Sequence, residues 1–164
     1  MKLRALMFRP ARTCAAALLA IAALPALAIE PFNATYQANY MGLRAEANMN
    51  LARTSGNRWT YDLQVAGAGA RMQQTTVFET NGEQWRPISS SDSQRGESGI
   101  AAMLMKPREL NTTYDWNAGE ARFSGDVRDG QSAPVRLQPG DLDGMLMNLV
   151  LVRDVQAGKS PLRY

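Results

Sequence analysis

Two close carboxylate pairs, Asp141 with Asp143 and Asp126 with Asp129, are the residues of this chain whose type and spacing could do chemistry. Paired Asp or Glu side chains can hydrolyse glycosidic bonds without histidine, one as general acid and the other as base or nucleophile. Each pair also has a plainer use. Negative charge at Asp141 and Asp143 suits the N-terminus of a helix, and Asp126 and Asp129 suit a turn around Gly130. Histidine is absent and the one cysteine is Cys14, which excludes Ser-His and Cys-His nucleophiles and zinc sites built on His or Cys. Beyond residue 28 the only lysines are Lys106 and Lys159, set beside Pro, Gly or Ser. An exposed amine there is not the desolvated base that a serine-lysine pair requires. No dinucleotide fingerprint, P-loop or EF-hand loop is present, and Gly67-Ala68-Gly69 lacks the helix and acidic ribose ligand that would give it meaning. The sequence therefore names no catalytic, cofactor-binding or metal-binding residue.

Residues 1–28 have the three regions of a cleaved secretory signal: a basic start (Lys2, Arg4, Arg9, Arg12), an apolar stretch from Ala15 to Leu24, and Ala26 and Ala28 after Pro25. The stretch is too short for a membrane span of about 20 apolar residues. Cys14 precedes the apolar run instead of closing it, so the segment is not a lipoprotein signal, and the absence of an Arg-Arg pair favours the general secretory route. Cleavage is expected between Ala28 and Ile29, with a periplasmic destination. Four of the 18 basic residues leave with the signal, so 14 remain against 15 acidic ones and the net charge falls from +3 to −1. Arg44, Arg53, Arg58, Arg71, Arg86 and Arg95 are then scattered singly, which argues against a nucleic-acid partner. The remaining 136 residues hold no cysteine, so an apolar core and not a disulfide must stabilise this single domain, 29–164.

The elements that must position any site are mainly strands. Phe32, Ala34, Tyr36, Ala38 and Tyr40 alternate with polar residues, and Leu43, Ala45, Ala47, Met49 and Leu51 do the same after Gly42. Trp59 to Val65 reads as a third strand, the small-sided Ala66–Ala70 as a loop, and Gln73 to Thr80 as a fourth strand ending at the turn dipeptide Asn81-Gly82. A fifth runs from Gln84 into Ser89–Ser93, with Pro87 as an interruption. Residues 94–110 fit either a short helix or an apolar loop, in which Met103, Leu104 and Met105 either fold over the core or offer an adaptable apolar surface. Asn111–Trp116 and Glu120–Asp126 form another hairpin.

From Asp141 the period changes. Leu142, Met145, Leu146, Leu149 and Val150 fall at helical spacing, with Asp141 as cap and Gly158 and Pro161 as stops, although a buried strand is the competing assignment. Met147, Leu151 and Val152 make the other face apolar too, so the helix should be covered on more than one side. The expected fold is mainly β: a curved antiparallel sheet, an open or incomplete barrel, packed around one apolar helix.

The order of motifs resembles a known family. Tyr36-x-x-x-Tyr40-x-Gly42, Trp85-Arg86-Pro87-Ile88, Tyr114-Asp115-Trp116-Asn117 and Pro139-x-Asp141-x-x-x-x-Leu146, followed by Ala157-Gly158-Lys159, together look like the bacterial exported proteins of domain-of-unknown-function family 3108. The resemblance implies a periplasmic antiparallel β protein with no assigned activity and no catalytic residues to carry over. It also implies further strands beyond the helix, so the segment Pro161–Tyr164 reads as the start of a strand in a chain truncated at its C-terminus. The functional expectation is an exported, non-catalytic protein that binds a lipid, another apolar ligand or an envelope protein, with no transmembrane span after cleavage; the alternative is a carboxylate-dependent hydrolase of envelope polymer. Mass spectrometry of the protein recovered from the periplasm should find Ile29 as its first residue, and a retained Met1 would refute the cleavage.

Overall fold

An eight-stranded antiparallel sheet in simple sequence order forms the body of the protein. The computed structural model describes residues 29–128 and 130–160; the signal segment 1–28, Asp129 and residues 161–164 lie outside them. The strands are β1 (Phe32–Tyr40), β2 (Leu43–Ser55), β3 (Arg58–Gly67), β4 (Ala70–Asn81), β5 (Gln84–Gly96), β6 (Arg108–Asp115), β7 (Glu120–Gly125) and β8 (Val135–Arg136). Two helices complete the fold, α1 (Gly99–Leu104) between β5 and β6 and α2 (Gly144–Gln156) after β8. The sheet does not close, so β1 and β8 are its edges.

Register explains why the alternation in the sequence becomes one apolar face. Phe32 opposes Leu51, Leu51 opposes Tyr61, Tyr61 opposes Thr76, and the row continues through Ser90, Thr112 and Phe123. The next row on the same face runs Ala34, Met49, Leu63, Gln74, Asp92 and Leu110. Because side chains alternate between faces, the opposite face carries the polar partners. Thr35 donates to Asn48 at 2.8 Å, Thr75 to Asp62 at 2.6 Å, and Arg58 pairs with Glu79 at 2.6 Å.

Helix α2 covers part of the apolar face. Met145, Leu146 and Val150 pack with Leu51, Trp59, Tyr61, Phe78 and Trp85 to form the buried core, in which Phe78 and Leu146 have no exposed surface at all. Phe78 and Trp85 stack at 5.6 Å, and Phe32 meets Tyr61 edge-on at 6.2 Å. Pro87 opposes Phe78 while Ser89 opposes Val77, so Ile88 is an extra residue on β5 and the strand passes Pro87 through a bulge.

Four expectations need correction. The Ala66–Ala70 stretch is mostly strand: only Ala68 and Gly69 turn, both with positive φ, and Gly67 stays paired because a Cβ there would come within 2.5 Å of the Ala45 backbone. Residues 94–110 divide into a β5 that continues to Gly96, the short α1, and a β6 that begins at Arg108. The α2 cap is Asp143, whose carboxylate accepts from Leu146 N at 2.7 Å; Asp141 accepts from Gln138 N at 2.8 Å and closes the preceding turn. Finally, α2 is covered on one side only, since Met147, Leu151, Val152 and Val155 face outward and are exposed. Leu146→Ala should lower the unfolding free energy by about 2–5 kcal/mol, whereas the exposed Val152→Ala should change it by no more than about 0.5 kcal/mol; urea denaturation monitored by tryptophan fluorescence reads both.

Candidate functional site

The half of the apolar face beyond α2 is open, and it is the most site-like part of the molecule. Its residues follow from the same register: Tyr36, Ala47, Val65 and Met72 form one row, and Leu110 and Phe123 extend the neighbouring rows onto β6 and β7. None of these six belongs to the buried core. Three depressions lie along this hollow. A cavity of about 290 Å³ sits where Thr76, Ser90 and Asp92 meet Asp143 and Met145 of the α2 start. One of about 190 Å³ shares Gln74 and Asp92 with it and adds Met72, Arg108 and Leu110. A third, of about 480 Å³, shares Arg108 and Leu110 and is walled by Phe123, Val127, Pro134 and Val135.

The polar groups cluster where α2 begins. Asp143 is largely buried, which raises its pKa, and the charge of Asp92 raises it further; the Leu146 and Met145 amides and the nearby Thr76 hydroxyl act the other way. Thr76 Oγ1 and Asp143 Oδ2 are buried and close no hydrogen bond among the described residues, so proximity and not a formed bond carries that last effect. Burial likewise pushes the Tyr114 phenol up, helped by Asp143 and Asp92 and opposed by hydrogen bonding with Ser90 and Thr112. Gln74 Nε2 donates to Asp92 at 2.5 Å. This arrangement gives the hollow an acidic end.

The other end of α2 is fixed by charge. Arg153 lies over the Trp85 ring at 4.8 Å, pairs with Asp154 at 2.7 Å and donates to the Glu83 carbonyl at 2.8 Å. Lys159 reaches Asp154 at 3.1 Å and Glu83 at 3.4 Å. Arg153 and then Lys159 therefore hold the Asp154 carboxyl below its ordinary range despite the opposing effect of burial.

Asp141 and Asp143 do not converge on the hollow as a pair. Asp141 is exposed and bonded within its turn, and Asp126 accepts from Glu109 N at 2.7 Å, while Asp129 lies outside the described residues. Of the three that are described, Asp143 alone lines the cavity, and its acidic neighbour is Asp92. That pair is invisible to sequence spacing; its only signal is that Ser90, Asp92 and Gln94 fall in phase with the inward rows of β4. The Met103–Met105 segment is a surface feature, with Met103 and Leu104 exposed on α1. Lys106 is exposed. Among the described residues, no group of three or more Asp or Glu side chains could hold a metal ion, and no helix is long and apolar enough to cross a membrane.

Two motifs of the family resemblance touch. Trp116 Nε1 donates to the Pro87 carbonyl at 2.7 Å, and Arg86 lies over the Trp116 ring at 5.2 Å. Comparison of the chain with protein-family models, curated proteins and solved structures found no match.

The two aspartates at the ends of α2 respond oppositely to pH. With its folded pKa raised, Asp143 contributes stability below the ordinary carboxylate range that is lost as pH rises through the folded value; with its folded pKa lowered, Asp154 contributes stability above that range that is lost as pH falls. Asp143→Asn keeps a capping side chain, so its stability relative to the wild type should improve as pH rises from about 3.5 to about 7. Urea midpoints measured across that interval check the sign, and a constant difference would refute it.

Proposed function

We propose that this protein is an exported, non-catalytic component of the bacterial envelope, related to the family whose motif order it carries, and that it binds an apolar ligand in the hollow of its sheet. The observation that carries the reading is the in-register apolar surface left uncovered beside α2. Sites for small molecules are concave, mostly apolar and furnished with a few polar groups that fix orientation. Leu110, Phe123 and Val127 supply the walls, and Asp92 and Arg108 are among the polar groups. The engagement of Asp141 and Asp126 by backbone amides favours this reading over carboxylate hydrolysis of envelope polymer. Export follows from the three-region segment at residues 1–28.

Mass spectrometry of organic extracts from the purified protein should detect a lipid in stoichiometric amount. Val65→Asp in the open hollow should weaken binding of a fluorescent apolar probe by about tenfold or more, since it sets a charge on apolar surface. Val152→Ser on the outer face of α2 should leave binding unchanged. Absence of both lipid and probe binding would sink the proposal.

A further inference from the structure

We propose that the depression at the β6–β7 corner takes an anionic amphiphile, with a carboxylate or phosphate head group held by Arg108 and Arg128 and a hydrocarbon tail laid against Leu110 and Phe123. The proposal rests on the reading of the hollow as an apolar-ligand site and adds the chemistry of the head group. The depression has a volume of about 480 Å³ and is lined by both arginines as well as by those apolar side chains. This lies within the usual size range of small-molecule sites.

The arginines themselves point to the charge. Arg58, Arg71, Arg95, Arg122 and Arg153 each pair with a carboxylate, and Arg53 and Arg86 lie over tryptophan rings. The side chains of Arg108 and Arg128 have no carboxylate, ring or hydrogen-bond partner among the described residues. Arg136 is likewise without one but does not line the depression. Arg108 is also half-buried and forms no ion pair, although Asp92 lines the neighbouring depression with it. A planar guanidinium matches carboxylate and phosphate oxygens bidentately, and two of them at one depression favour an anion over a neutral polar head. Arg108 also lines the adjoining depression, which mixes Met72 and Leu110 with Gln74, Asp92, Ser93 and Gln94, so the apolar path for the tail runs along Leu110 and Phe123 within the corner depression itself.

Binding of dodecanoate, dodecyl phosphate and dodecanol to protein purified from cells expressing the whole chain separates head from tail, with each probe kept below its aggregation concentration at low salt. Both anions should bind about tenfold or more tightly than the alcohol, as expected for charge-assisted hydrogen bonds to a guanidinium. The double substitution Arg108→Gln and Arg128→Gln should remove that preference, so that both anions bind no more tightly than the alcohol, with the far-ultraviolet circular dichroism spectrum unchanged. Inorganic phosphate at the same concentration should not displace dodecyl phosphate. Equal binding of alcohol and anions, a preference that survives in the double variant, or displacement by inorganic phosphate would each overturn the head-group assignment while leaving the apolar-ligand reading intact. Failure of all three probes to bind would overturn that reading as well.

Discussion

The packing of α2 on the sheet in the core that holds Leu146 and Phe78 stands at the centre of a mismatch in length on which the whole structure depends. Both side chains are fully buried, in a core shared with Trp59, Trp85 and Val150. A helix of 13 residues is about 20 Å long, whereas strands of 12 or 13 residues such as β4, β2 and β5 run for about 40 Å. One such helix cannot cover an apolar face of that extent. The sheet is consequently a packed core at the end near Trp59 and Phe78 and an open hollow at the end near Val65 and Met72. Its antiparallel order makes the division sharp, because register carries each inward row across neighbouring strands without a change of face.

What fixes the helix over one half of the face is polar chemistry at its two ends. At the start, Asp143 caps the first turn through Leu146 N and accepts partial burial in doing so, which raises its pKa. Near the finish, Arg153 is held between the Trp85 ring, Asp154 and the Glu83 carbonyl, and Lys159 adds a second cation to the same carboxylate. The ion pairs that Asp154 makes with Arg153 and Lys159 are local to this end of the chain, so the constraint on helix position comes from the Trp85 ring and Glu83 carbonyl on Arg153 and from the Glu83 carboxylate on Lys159. The apolar contacts supply the attraction between helix and sheet, and these end contacts specify where along the sheet it acts.

The legible part of the architecture was the part governed by short-range periodicity. Alternation in Phe32–Tyr40, Leu43–Leu51 and Trp59–Val65 predicted strands with the correct inward residues, and Leu142 to Val150 predicted a helix in the hollow of an open, curved sheet. Where side chains are small the signal faded: Ala66-Gly67 reads as loop but pairs as strand, because the missing side chain of Gly67 is what lets its backbone approach Ala45 closely. The cap was misplaced by two residues since Asp141 and Asp143 have the same capping chemistry, and the turn that engages Asp141 depends on Gln138. The candidate site was illegible for a different reason. Asp92 and Asp143, or Leu110 and Phe123, meet through strand register and helix placement, neither of which leaves a spacing in the sequence.

The open hollow is also polarised along its length. Asp143 and Asp92 occupy the end beside α2, where Tyr114 and Thr76 add hydroxyl groups, and Arg108 and Arg128 occupy the β6–β7 end. The two signs meet in the depression lined by Met72, Gln74 and Leu110, to which Asp92 and Arg108 both contribute, whereas Arg128 lines the corner depression and not that one. This gradient of sign, from Asp143 and Asp92 beside α2 to Arg108 and Arg128 at the corner, favours one direction of a ligand that is itself apolar with a charged end, because the opposite placement would bring its anion against the carboxylates. The apolar floor supplies affinity for any hydrocarbon, and the charges at its ends discriminate by orientation. An enclosed core would have lost both properties: the same helix drawn out to cover the face would have buried Val65 and Met72 and left the arginines of the corner at the rim of a solid sandwich.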